Sequence, residues 1–344
     1  MSHIDLIPLR KQINDIKIKR TCFDLQLLDI DVKDTSDDYE YLVLSGGGIK
    51  GIAFTGALEI LLNYVKLDKL KGIAGVSAGA IVATLLAVRY TPQEITKIMY
   101  DVDLVKLSSD GLGYLRDGLN FVRDWGMCPG LYVMEMMGKL ISDKTGNPDY
   151  TFEDLKKDTG LSLVIIGTNH SFSRTEYFYA GNTEPMYSKM PIRVAVRISM
   201  SIPYVFEPYK YNDCYFVDGG TLCNFPLNVF DGEYPGDVQA TLNLCPPNPK
   251  VLGLKLMTDD MSIDHQLTKK KEFKGLTDYS MSFIDMFLIE NDRHIMVPSF
   301  WDRTIIIVTP AYPLNKFDIT VKEKEDLIEV GRQCTRVFFM EELN

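Results

Sequence analysis

Three short stretches carry residues whose types and spacing suit acyl-transfer chemistry. Gly75-Val76-Ser77-Ala78-Gly79 is a G-x-S-x-G. A serine on a tight turn between a strand and a helix needs small neighbours, because the two backbones nearly touch there. Such a turn presents the hydroxyl at the carboxyl end of a sheet, and the helix N-terminus behind it favours developing negative charge. Ser77 is therefore the candidate nucleophile, with Gly75 and Gly79 as its small flanks. The structural alternative is a glycine-rich packing turn whose serine caps the helix.

The second stretch is Gly46-Gly47-Gly48-Ile49-Lys50-Gly51. Acyl transfer requires backbone N–H groups aimed where the tetrahedral oxyanion forms. Consecutive glycines allow the backbone to approach a substrate closely. The same six residues satisfy G-x-G-x-x-G, the dinucleotide fingerprint, which expects an acidic residue at the end of the next strand. Asp68 lies near the required distance but precedes that strand, and the strand runs directly into Ser77. The loop is not a Walker A motif either, since no Ser or Thr follows Lys50.

The third stretch is Asp218-Gly219-Gly220, after the apolar Tyr215-Phe216-Val217. An aspartate at a strand end, with glycines that let the chain turn away, can accept a serine proton. A carboxylate is a poor base in water, but burial beside the serine raises its pKa into a useful range. An ordinary Asp-Gly turn is the alternative.

The elements that position these residues follow from hydrophobic pattern. Tyr41–Leu44 reads as a buried strand entering the glycine turn, with a helix after it. Residues 72–88 carry no charge, yet fall short of the about 20 apolar residues of a membrane helix; they read as a strand, a sharp turn and a buried helix. Thr91-Pro92-Gln93-Glu94 predicts a capped helix start, and Thr151 to Asp154 repeats the signature. Strands are expected at 161–167, 177–179, 215–217, 251–257 and 304–308, and a long helix over 321–341. Strands alternating with helices predict an α/β fold with a mainly parallel sheet.

Composition bounds the function. The 344 residues are 46% hydrophobic and 24% charged, as in ordinary globular proteins. A net charge of −10 excludes a nucleic-acid footprint. Cys22, Cys128, Cys214, Cys223, Cys245 and Cys334 are scattered without a C-x-x-C pair, which fits neither a zinc site nor a disulfide framework. The first twenty residues lack the apolar core of a secretory signal. A cytoplasmic or otherwise intracellular protein, peripheral on membranes at most, is expected.

Taken together, the glycine loop, the G-x-S-x-G and the D-G-G resemble the patatin-like phospholipase family in order and spacing. Arg197-Ile198-Ser199-Met200-Ser201-Ile202-Pro203 and Asn224-Phe225-Pro226 also look like family sequence, and the similarity covers roughly Tyr41 to Asn228. The resemblance implies a three-layer α/β/α sandwich and a Ser–Asp dyad without histidine. It implies hydrolysis of fatty-acyl esters in phospholipids or related lipids, with no metal or other cofactor. Mapped here, Ser77 attacks the ester carbonyl, Asp218 takes its proton, and the amides of Gly46, Gly47 and Gly48 hold the oxyanion. Gly51 would carry the close packing at the helix start. Many relatives have arginine where this chain has Lys50, and lysine lacks the bidentate fork. The expected organisation is an extension at 1–39, a catalytic domain at 40–260, and a helical C-terminal part at 261–344 with one further strand.

Two other readings are set against this one. A Ser–acid–His order would use Ser77, Asp218 and His294, although His294 lies in a charged context. A lipid-binding relative without catalysis would keep the fold alone. For membrane contact, the basic cluster Lys269, Lys270, Lys271 and Lys274 around Phe273 is the candidate for anionic headgroups. The apolar run Met281, Phe283, Ile284, Met286, Phe287, Leu288 and Ile289 would line an acyl channel or insert shallowly; a solvated loop and a core helix are the plain alternatives.

Overall fold

Among the described residues, ten short, mostly apolar runs form the strands β1 (Tyr41–Leu44), β2 (Gly72–Val76), β3 (Gly126–Cys128), β4 (Ser162–Asn169), β5 (Arg174–Phe178), β6 (Tyr204–Phe206), β7 (Tyr209–Tyr211), β8 (Cys214–Asp218), β9 (Val251–Thr258) and β10 (Thr304–Thr309). The longer helices are α1 (Ala53–Leu61), α2 (Ala78–Ala87), α3 (Pro92–Asp101), α4 (Leu131–Thr145), α5 (Phe152–Thr159), α6 (Ile192–Ser199) and α7 (Val321–Glu341). The structure, a computed structural model, describes residues 39–102, 125–187, 189–258, 298–310, 312, 313 and 316–341, together with positions 275, 279, 280, 282–284, 286 and 287.

Eight strands make one sheet in the order β10-β9-β1-β2-β4-β8-β7, with β5 also paired to β4. β10, β9, β1, β2 and β4 are mutually parallel. β8 and β5 run antiparallel to β4. β1 is the switch point, because the chain goes from it to β2 on one side and later returns to β9 on the other. In open sheets of this kind the crevice at the carboxyl ends of the strands is the natural ligand site.

Alternation along each strand builds two cores. On one face Leu42, Leu44, Ile73, Leu163, Ile165, Leu252 and Leu254 pack with α1, α2, α6 and α7. On the other, Val43, Ala74, Val76, Val164 and Ile166 are closed by Phe225, Leu227, Val229 and Phe300. The two outer layers are unequal: the second face is covered by single helical turns such as Leu227–Phe230 and Pro298–Trp301. The fold is α/β with a mostly parallel sheet, as expected, and every residue of the uncharged stretch 72–88 is buried. Among the described residues no helix is long and apolar enough to cross a membrane.

Both predicted capping boxes form. Thr91 accepts from the Glu94 amide at 3.2 Å while its own amide donates to Glu94 at 2.7 Å, and Thr151 and Asp154 do the same. The strand expected at 177–179 instead spans Arg174–Phe178, set by its antiparallel register on β4. Helix α6 has no counterpart among the expected elements. Its sequence, IRVAVRIS, alternates β-branched and polar residues like a strand, and packing against β4 and β8 overrides that propensity.

Candidate active site

Two parallel neighbours, β1 and β2, deliver the first two motifs to the same end of the sheet. The glycine loop leaves β1 at Ser45, and Ser77 leaves β2 directly before α2. Ser77 holds φ 53° and ψ −123°, a left-handed conformation that a serine adopts only under constraint. Its small flanks are needed. A side chain at Gly75 would strike the Gly79 carbonyl, and one at Gly79 would lie 2.6 Å from both the Leu44 and Ser45 carbonyl oxygens. Gly51 meets α2 equally closely, with its missing Cβ 2.6 Å from that of Ala78.

The glycine loop is tied down on both sides. Ser45 Oγ accepts from the Leu256 amide at 3.0 Å and donates to the Gly46 carbonyl at 3.0 Å. The Gly46 amide donates to the Asn224 carbonyl at 3.0 Å, so it is committed to holding the loop. The Gly47 and Gly48 amides donate to no group among the described residues. Gly48 has φ +55° and open space where a Cβ would stand, whereas a side chain at Gly47 would run into Leu256. Lys50 is half-buried in the single 3₁₀ turn that follows, its amide on the Gly47 carbonyl at 3.2 Å.

The third motif arrives by register. Asp218, at the end of antiparallel β8, pairs with Gly167 of β4. Gly167 lies one step beyond Ile166, which pairs with Val76 of β2. Asp218 therefore comes level with Ser77. It is buried, as Ser77 is. Gly220 donates its amide to Asp218 Oδ1 at 2.7 Å, and Gly219 fits against the Ile166 carbonyl where no side chain would go. Asp218 Oδ2 is buried without a hydrogen bond among the described residues. Burial pushes the carboxyl up to about 7, against the opposing pull of the Ser77 hydroxyl and the Gly220 amide. Ser77 Oγ also lies 3.9 Å from the Met200 thioether sulfur.

The structure thus brings Ser77, Asp218 and the Gly46–Gly48 loop together. His294 and the lysines of 269–274 lie outside the described residues. Of the apolar run, Ile284 is buried, while Phe283, Met286 and Phe287 are exposed; Met281, Leu288 and Ile289 lie outside the described residues. His170, the one histidine among the described residues, is exposed in the turn after β4. Sequence reasoning assigned no role to Ser199 or Asn224. Their motifs had been singled out, but only the fold shows that they reach Ser77 and Gly46.

The fold is thus an α/β one that sets an elbow serine level with a buried carboxylate at the carboxyl ends of a mostly parallel sheet. The chain belongs to the patatin-like phospholipase family, whose model matches residues 42–231. It is 30% identical over 296 residues to an uncharacterised protein, R571, of Acanthamoeba polyphaga mimivirus, covering 84% of this chain and 90% of that one. It is 31% identical over 193 residues to the probable lipid hydrolase 463L of Invertebrate iridescent virus 6, covering 56% and 63% of the two chains. In fold it is similar to the crystal structure of VipD from Legionella pneumophila, with a TM-score of 0.56, 18% identity, and coverage of 94% of this chain and 73% of that one.

Proposed function

We propose that the chain hydrolyses fatty-acyl esters of phospholipids or related lipids, with Ser77 as nucleophile and Asp218 as its base. The observation that carries this reading is the Asp218 carboxyl, buried level with Ser77, within the pull of the Ser77 hydroxyl, and raised to about 7 by burial. A general base works best when its pKa lies near the working pH. Ser77 Oγ attacks the ester carbonyl carbon as its proton passes to Asp218. The Gly47 and Gly48 amides stabilise the tetrahedral oxyanion, with the Gly46 amide spent on Asn224. Collapse breaks the ester C–O bond, and Asp218 returns the proton to the leaving alcohol. Water, deprotonated by Asp218, then attacks the acyl-serine; collapse breaks the acyl C–Oγ bond, Asp218 returns the proton to Ser77 Oγ, and the fatty acid leaves. Each step uses one proton and one carboxylate, so no imidazole is required.

A lipid hydrolase meets its substrate at an interface. Tyr279, Phe283, Met286 and Phe287 are exposed at the spacing of one helix face, and they support a peripheral contact, as does the basic sequence at 269–274 that precedes them in the chain. The test of the reading is labelling by a fluorophosphonate and release of fatty acid from a panel of phospholipids, glycolipids and neutral glycerides. Wild type should label and turn over, and Ser77→Ala and Asp218→Asn should do neither. Turnover that survives Ser77→Ala would refute the assignment.

A further inference from the structure

Ser199, Met200 and Ser201 touch both halves of the candidate dyad from the end of α6. The Ser77 amide donates to Ser199 Oγ at 2.9 Å, and Ser199 Oγ donates to the Ile166 carbonyl at 2.6 Å. The Asp218 amide donates to the Ser201 carbonyl at 2.8 Å. This tripeptide is itself fastened by buried Arg197, which donates to Ser201 Oγ and to the carbonyls of Pro129 at 2.7 Å and Glu207 at 3.0 Å. Ser201 Oγ donates back to the Arg197 carbonyl at 2.8 Å.

The arrangement answers a local problem at the nucleophile. Val76 and Ile166 form the last pair that β2 and β4 share. Beyond them the elbow lifts Ser77 off the ladder, and its amide meets no strand carbonyl. A buried amide left unpaired is costly. The Ser77 backbone is also in a sparsely populated region, which persists only where its surroundings over-determine it. A hydroxyl is a donor and an acceptor at once. The fully buried Ser199 hydroxyl uses both capacities, bridging the two groups that part at the elbow.

We propose that Ser199 is a positioning residue for the nucleophile: its hydroxyl carries a hydrogen bond from the Ser77 amide to the Ile166 carbonyl and so holds Ser77 in its strained, attack-ready conformation. The proposal rests on the reading of Ser77 as nucleophile. Ser199 touches neither substrate nor the reacting oxygen, and acts through the Ser77 backbone. Small displacements of a nucleophile, of about 1 Å, can cost on the order of 100-fold in rate.

The test compares wild type, Ser199→Ala, Ser199→Thr and Ser77→Ala as full chains, on a soluble short-chain ester and a fluorophosphonate, well below the melting temperature of each. Ser199→Ala should lower kcat by about 10- to 100-fold and slow labelling in parallel. KM should stay within about twofold and the acid limb of the pH profile should not move, since Asp218 keeps its partners. Ser199→Thr, which restores the hydroxyl, should recover a substantial part of kcat. A kcat for Ser199→Ala within about twofold of wild type would overturn the proposal, as would a loss that only tracks the folded fraction. If both Ser199 variants fail to fold, hydrogen exchange of wild type decides. Ser77 amide protection matching that of β2 supports the bridge, and exchange at the rate of an exposed loop overturns it. Undiminished activity of Ser77→Ala would instead remove the nucleophile reading on which the proposal stands.

Discussion

Replacing Asp218 by asparagine should stabilise the protein above neutral pH while removing its activity. The folded carboxyl holds its proton up to about pH 7, against an ordinary value of 3.8, because it is buried. Between those two values the folded state binds more protons than the unfolded state. Stability therefore falls as pH rises through that window, by about 1.4 kcal/mol per unit and about 4 kcal/mol in all. Above pH 7 the loss is complete. Below pH 3.8 it is absent. Asparagine keeps the Oδ1 acceptor for the Gly220 amide but places an amide donor where Oδ2 stands without a hydrogen bond. That donor costs about 1–3 kcal/mol if unpaired, and the cost does not depend on pH.

The difference between two pH values isolates the carboxyl. From pH 5.5 to 8.5, wild type should lose about 2 kcal/mol relative to Asp218→Asn. For a chain of this size that is a shift of roughly 3 °C in the melting-temperature difference. Paired thermal melts at several pH values measure it. Activity supplies the second half of the check: wild-type kcat/KM should fall about tenfold per pH unit below 7, with a one-proton limb. Melting curves of the two proteins that stay parallel across this range, with activity flat from pH 5.5 to 8, would show that Asp218 is ionised throughout and refute the reasoning.

Ser77→Gly should abolish turnover and raise stability by about 1 kcal/mol, because glycine accepts φ 53° without strain; denaturant titration reads the gain. Gly48→Ala meets open space but keeps a positive φ, so it should cost about 1 kcal/mol and lower kcat while leaving the fold intact by circular dichroism. His294→Ala should retain activity within about twofold, and near-complete loss without unfolding would sink the dyad in favour of a triad. Neutralising Lys269, Lys270, Lys271 and Lys274 together should weaken sedimentation with anionic liposomes and spare hydrolysis of a soluble ester; unchanged liposome binding would count against the basic cluster as a membrane contact.

What was legible in the sequence was whatever is decided within one turn of chain. Gly75 announces a tight elbow because it must fit against the backbone of the turn at Gly79, although the carbonyls at the end of β1 that demand a glycine at Gly79 itself lie far back in the chain. The capping boxes announce helix starts because both partners lie three residues apart. The α/β class follows from strands and helices in alternation. Helix α6 was not legible, because IRVAVRIS carries strand-like alternation and becomes helical only against β4 and β8. Nor were the committed Gly46 amide and the bridging Ser199 hydroxyl, whose partners stand far along the chain.

The meeting of Ser77 with Asp218 belongs to this second kind, and sheet geometry explains it. Strands β2 and β4 are parallel, so Ser77 and Gly167 leave their last shared pair, Val76 with Ile166, at the same height. If β8 had joined β4 in parallel, a residue at its carboxyl end would sit at the same edge whatever the strand length. Because β8 is antiparallel, the height of Asp218 depends on register alone, and a slip of one residue would turn its side chain to the opposite face. Gly219 against the Ile166 carbonyl and the Asp218 amide on the Ser201 carbonyl oppose such a slip. The residues from 197 to 220 thus place the base by the same contacts that close the fold around the nucleophile. Loosening that register should shift the acid limb of activity toward the ordinary carboxylate range before it lowers the melting temperature, since a carboxylate reached by water loses its raised pKa first.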